Sequence, residues 1–174
     1  LESAIRREKQ LLAPVRARAD YILDSTSFNT TAKLRAALLE MFGDQESVKA
    51  SFQVSVQSFG FKHGIPLEAD LVMDVRFLPN PFYIREIRSY TGLEAPVRDY
   101  VLGKEETRAF LAHLYAMVDY LIPLYQREGK RRLMIAIGCT GGRHRSVAIA
   151  SALAGHLQCM GVPVVSINRD LAKS

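Results

Sequence analysis

The 174-residue sequence has only two cysteines, Cys139 and Cys159. Two thiols make no disulfide framework, so the chain is expected to rely on its core in a reducing compartment, the cytoplasm. No apolar run approaches the roughly 20 residues that span a bilayer, and no signal-peptide pattern is present; no membrane partner is expected. No G-x-x-x-x-G-K-[ST] loop occurs, so these residues are not expected to hydrolyse ATP or GTP by themselves. No His/Cys/Asp spacing argues for zinc, and no metal is expected. Repeats and low-complexity segments are missing too. Acidic residues are scarce in one region only. Residues 125–174 carry eight basic and two acidic side chains, against eight and seven in 1–50 and seven and nine in 51–124. All of the formal charge of +5, and one charge more, therefore lies at the C-terminal end. That end should prefer anions: phosphorylated metabolites, nucleotides or RNA. The plain alternative is a solvated basic face.

What is present reads as globular, at 48% hydrophobic and 24% charged residues. The length allows one core plus an appendage. "LESAIRREKQLLAPVRARAD" is helix-like, with Ile5, Leu11, Leu12 and Val15 on a stripe. "YILDS" is a short strand candidate, and "STSFNTTAKLRAALLEMFG" offers caps and then a second helix. One strand between two helices makes no sheet core, so residues 1–46 are expected to be an appendage with a linker. Residues 47–174 form the main domain. There "SFQVSVQSFG" alternates as a strand, and "LVMDV" is a short buried one. Residues 76–101, with three prolines and no clear period, predict a functional or partly helical loop. "KEETRAFLAHLYAMVDYLIPLYQREG" is amphipathic, acidic at its start and basic at its end, with Pro123 as a disturbance. "RLMIAIG", "RHRSVAIASALAGHLQCMG" and "VPVVSIN" complete a β-loop-α-β unit whose strands should be parallel. The fold class expected is α/β, a mostly parallel sheet flanked by helices, with an N-terminal helix-strand-helix appendage.

"IGCTGGRHRS", from Ile137 to Ser146, joins a buried strand to a helix. Such a turn gathers backbone N–H groups and the positive end of the helix dipole around one point. Gly138, Gly141 and Gly142 permit backbone that side chains would forbid. Arg143 and Arg145 can clamp phosphate oxygens, and Thr140 and Ser146 add hydroxyls. His144 can donate to an anion or face solvent. The spacing from Cys139 to Arg145 is C-x5-R, that of cysteine-dependent phosphatases, whose thiolate attacks phosphorus. Against that reading, Gly138 stands where those enzymes carry His. Asp74 and Asp99 are the only substitutes for a general acid, and Asp74 can instead form a buried ion pair with Arg76. The loops after the first two strands of the domain should bring Lys62, His63, Arg76 and Asn80 to the same place. His113 and His156 read as helix fillers.

"SFGFKHGIP", "ADLVMDVRFLPNPFY", "TGLEAPVRDYVL" and "IAIGCTGGRHRSVAIA" together resemble the RapZ/YvcJ family of bacterial nucleotide-binding and RNA-regulatory proteins, over about residues 50–170. The resemblance implies a phosphofructokinase-like α/β domain that assembles into homo-oligomers. It implies that residues 1–46 are the end of an N-terminal P-loop kinase-like domain, which would use ATP or GTP in the full-length protein. It also implies a pocket for a phosphorylated amino sugar such as glucosamine-6-phosphate, or a nucleotide sugar. Cys139, Thr140, Gly141, Gly142, Arg143, His144, Arg145 and Ser146 would form it, with His63 and Asn80 nearby. Small regulatory RNA, and an RNase or other protein partner, would meet a basic surface from Arg127, Lys130, Arg131, Arg132, Arg169 and Lys173. Two features depart from enterobacterial members: Phe82 replaces a histidine after Pro-Asn-Pro, and "NRDLAKS" keeps only Arg169 and Lys173 of a basic tail.

Overall fold

A computed structural model describes residues 2–19, 22–23, 30–42 and 52–173. The chain divides into two compact units, Leu1–Phe42 and Gly43–Ser174. The first holds α1 (Glu2–Ala17) and α2 (Thr31–Phe42). The Thr30 hydroxyl caps α2 by accepting from the Lys33 amide at 3.3 Å, which satisfies an N–H that has no helical partner. The apolar stripe of α1, Ile5, Leu11, Leu12 and Val15, is exposed. The strand expected at Tyr21–Asp24 lies largely outside the described residues, as does the expected boundary between residues 46 and 47; Ile22 and Leu23 have no regular structure.

The second unit contains β1 (Gln53–Gly60), β2 (Leu71–Asp74), α3 (Ala95–Leu102), α4 (Glu105–Arg127), β3 (Arg132–Cys139), α5 (Arg145–Cys159) and β4 (Val164–Asn168). The strands form one sheet in the order β2-β3-β1-β4, every neighbouring pair parallel. This is an α/β domain. β3 and β4, joined through α5, are parallel as their sequence pattern requires, but β1 lies between them. A strand flanked on both edges is more deeply buried than its alternation suggests. Val54 and Val56 are inaccessible, and Gln57 and Ser58 are buried as well.

The helices follow from their apolar spacing. In α4, Leu111, Leu114, Val118 and Ile122 share one buried face, with Glu105 and Glu106 in the first turn and Arg127 in the last. The helix continues through Pro123. α5 is buried nearly all round, from Val147 to Leu157, because it lies against β1, β3 and β4 and is met by α3 and α4. It ends at Gly161, whose φ of +75° is the left-handed conformation that suits glycine. Residues 76–101 are turns, a short 3-10 turn at Pro81–Tyr83, and α3. Val75, Leu78, Val97 and Val101 anchor this segment in the core. Among the described residues, no helix is long and apolar enough to cross a membrane.

Parallel strands deliver all their carboxyl ends to one pole. The register aligns Gly60 with Cys139, Asp74 with Gly138, and Ser58 with Asn168. Four loops therefore leave the sheet side by side.

Candidate functional site

The loop after β3 is built on close backbone approach. Gly142 has φ +78°, and a Cβ there would lie 2.6 Å from the Gly60 nitrogen. A Cβ on Gly60 would lie 2.5 Å from the Gly141 carbonyl carbon. Gly138 is required for a different reason: Phe59 and Phe61 pack edge to face at 4.8 Å, and a Cβ would enter their rings. Gly141 has neither constraint. Its added Cβ would meet only the Lys62 side chain, at 3.8 Å, so the expectation that all three glycines serve forbidden conformations holds for Gly142 alone.

Behind the glycines stands Asp170, fully buried just after β4. Its carboxylate accepts from the Gly60 amide at 2.9 Å and pairs with Arg169 at 2.7 Å and Lys173 at 2.8 Å. Burial opposes its ionisation. Arg169, the Gly60 N–H and Lys173 outweigh burial and hold the carboxyl well below the usual carboxylate range. Arg169 also donates to the Gly64 carbonyl at 2.6 Å, so the loops after β1 and β4 are fastened together.

Cys139 is buried at the floor. Its sulfur lies 3.1 Å from Ser146 Oγ and accepts from the Gly142 amide at 3.3 Å. Burial raises the thiol's pKa, but the bonds from Ser146 and Gly142 and the Arg145 charge lower it further, for a net depression. Arg145 is also buried. Nη1 donates to the carbonyls of Arg76 at 2.7 Å and Leu78 at 2.9 Å, and Nε has no partner. It thus ties down the segment that carries Asn80, while part of its guanidinium remains unused. Arg143 donates to the Ser89 carbonyl at 2.8 Å, and the Gly92 amide to the Arg143 carbonyl at 2.9 Å. His144 Nε2 lies 3.0 Å from the Arg88 carbonyl. Burial lowers the His144 pKa, and Arg143 and Arg145 add to that against the pull of the carbonyl.

These loops enclose a cavity of about 420 Å³. Of the residues expected at the site, Cys139, Thr140, Gly141, Arg143, His144, Arg145 and Asn80 line it. Gly142 and Ser146 lie behind them. The His63 ring does not line it: Phe61–His63 form a 3-10 turn, in which successive side chains diverge by about a third of a turn. Lys62 takes the inward position, and His63 Nε2 is buried without a partner. Arg76 pairs with Asp74 instead of lining the cavity; that pair is about half exposed rather than buried. Asp99 pairs with Arg98 and is not a wall residue. Four lining residues were not among those expected to hold the anion: Phe82, Tyr83, Arg88 and Lys173. The prolines at 79 and 81 and the Asn80 side chain, which accepts from the Phe82 amide, were the signal for the first two. The wall therefore has five cations, Lys62, Arg88, Arg143, Arg145 and Lys173, and no carboxylate.

The residues read as an RNA surface fall in two places. Arg127, Lys130, Arg131 and Arg132 lie at the amino end of β3, about 23 Å from Cys139 at the usual strand rise. Lys130 pairs there with Asp70, which also accepts from the Met134 amide at 2.8 Å. Arg169 and Lys173 lie at the other pole, both on Asp170. Among the described residues, no group of three or more His, Cys, Asp and Glu side chains could hold a metal ion.

The fold and the cavity define a parallel α/β domain with a cation-lined cleft at the carboxyl ends of its strands. Residues 52–172 match the model of the RapZ C-terminal domain, and the chain belongs to that family. It is 47% identical to a nucleotide-binding protein of Clostridium perfringens (strain SM101) over 169 residues. It is 48% identical to one of Clostridium botulinum (strain ATCC 19397) and 46% to one of Carboxydothermus hydrogenoformans. Each match covers 97% of this chain; the chain spans 57–58% of the length of those relatives.

Proposed function

We propose that this domain is a regulatory binding module for a phosphorylated small molecule, in the class that runs from glucosamine-6-phosphate-like amino sugars to nucleotide sugars. The observation that carries the reading is the cavity wall: five cations and no carboxylate, at the start of a helix and the ends of parallel strands. In the whole protein the same reading adds ATP or GTP in a separate P-loop domain, consistent with the relatives' printed description as nucleotide-binding. It also adds homo-oligomers, with small RNA or a regulatory protein such as an RNase at the basic amino pole, in the cytoplasm.

Thermal shift of the chain with phosphate, sulfate and sugar phosphates tests the module. Arg143→Ala and Lys62→Ala should each weaken anion binding by about 1.5–3 kcal/mol, the worth of a charged hydrogen bond. A Lys130/Arg131/Arg132→Ala variant should leave it unchanged. Equal shifts in all four proteins would overturn the assignment. The depressed thiol of Cys139 and its C-x5-R spacing support a second reading, a thiolate phosphatase. The cavity wall offers no carboxylic acid to protonate a leaving group. Hydrolysis of para-nitrophenyl phosphate that is lost in Cys139→Ser would favour that second reading.

A further inference from the structure

We infer that the cavity selects a ligand with two linked phosphates attached to a planar base, a nucleoside diphosphate or its sugar ester, over a free amino-sugar monophosphate. This rests on the anion-binding reading above and narrows it. The first ground is charge. Lys173 shares the single charge of Asp170 with Arg169, and Lys62, Arg88, Arg143 and Arg145 form no ion pair among the described residues. Four uncompensated cations around one cleft suit a ligand more anionic than an amino-sugar phosphate, whose ammonium cancels part of its charge.

The second ground is the supply of acceptors. An ammonium group needs a carboxylate or free carbonyls, and the wall has no carboxylate. Each of the carbonyls at its edge already has one hydrogen-bond partner, which leaves a single lone pair for a ligand. Arg88 meets His144, Ser89 accepts from Arg143, and Arg76 and Leu78 accept from Arg145. The Asn80 side-chain oxygen accepts from the Phe82 amide. Among the described residues, the charged ends of Lys62 and Arg88 line the wall with no hydrogen-bond partner, and both are donors.

The third ground is the aromatic rim. Phe82 and Tyr83 line the cavity yet are 57% and 84% exposed, with ring centroids 6.0 Å apart. Neither is needed by the core. Exposed ring faces beside cations are how proteins hold a nucleobase next to its phosphates. A volume of about 420 Å³ is in the range of clefts that enclose ligands of that size.

Isothermal titration calorimetry on the 174-residue chain separates the possibilities. The probes are UDP, ADP, UDP-N-acetylglucosamine, inorganic pyrophosphate and glucosamine-6-phosphate. At least one of the three nucleotides should bind tenfold or more tighter than both pyrophosphate and glucosamine-6-phosphate. UDP against its sugar ester then tells a free diphosphate from a capped one. In Phe82→Ala/Tyr83→Ala that advantage should shrink below threefold, with pyrophosphate affinity unchanged and the thermal midpoint retained. Glucosamine-6-phosphate binding as tightly as the nucleotides, or nucleotide binding indifferent to the double change, would overturn the inference while leaving an anion site. Failure of every phosphate probe would overturn the anion reading itself.

Discussion

The two poles of the sheet carry similar numbers of cations but use them differently. At the amino pole, Lys130 is paired with Asp70, and Arg131 and Arg132 flank the start of β3 near the surface. At the carboxyl pole, cations hold loops through carbonyls or the buried Asp170 and still line a cavity. Net charge along the sequence cannot distinguish these. What distinguishes Arg143 and Arg145 from Lys130 is that their partners are neutral oxygens beside an enclosed cleft and not an acid near the surface. Only a neutral partner leaves the positive charge available to a small ligand.

The largest contrast should appear between the two aspartates. Asp170→Ala strands two cations and an amide, and should cost about 3–5 kcal/mol by urea denaturation at neutral pH, as for other broken buried pairs. Asp70→Ala removes a partly exposed pair and one amide bond, and should cost about 1 kcal/mol. The pH dependence has a definite sign. A carboxyl depressed in the folded state contributes fully above its unfolded value of about 4, and that stability is lost as pH falls from there. The gap between the variants should therefore narrow on going from pH 7 to pH 3. A gap that stays constant would break the comparison.

Glycines at the two poles sharpen it further. Gly142 and Gly161 both have positive φ, at +78° and +75°, but an added Cβ at Gly161 meets nothing within 4 Å. Gly161→Ala should cost about 1 kcal/mol, the penalty of the left-handed conformation alone. Gly142→Ala adds a clash with Gly60 and should cost about 2–4 kcal/mol, with loss of anion binding. Equal costs would mean that the loop moves aside freely. The smallest effect is expected for RNA. Lys130/Arg131/Arg132→Ala should lower the log-log salt slope of binding to a structured small RNA by at most about 2, at roughly 0.7 per lost single-strand contact. Arg169→Ala should affect stability more than the slope, since its charge is taken up by Asp170.

The strands and long helices were legible because period and burial coincide in them. The turn of "IGCTGGRHRS" from a buried strand into a helix was legible because glycines, a strand end and a helix start are adjacent in sequence. Asp170 was not, because the Gly60 amide it accepts from is distant in sequence and "NRDLAKS" reads as a polar tail. An aspartate directly after a parallel strand, next to the ends of other strands, was the available clue. Phe82, Tyr83 and Arg88 were hidden in an aperiodic segment whose shape is set by Arg145 and Arg143 donating to its carbonyls. His63 was misplaced by one residue's worth of rotation.

The bond from Gly60 to Asp170 joins residues 110 positions apart. On a ribosome adding 5–20 residues per second, roughly 5–20 s separate the synthesis of the two. The thiol of Cys139 and the glycines around it are made only about 30 residues before that carboxylate, so for the last few seconds the nascent chain has its glycine loop and its thiol but not the group behind them. The anchored form of the cleft thus waits for Asp170, and until that residue is made the loops after β1 and β3 lack the carboxylate that the Gly60 amide donates to.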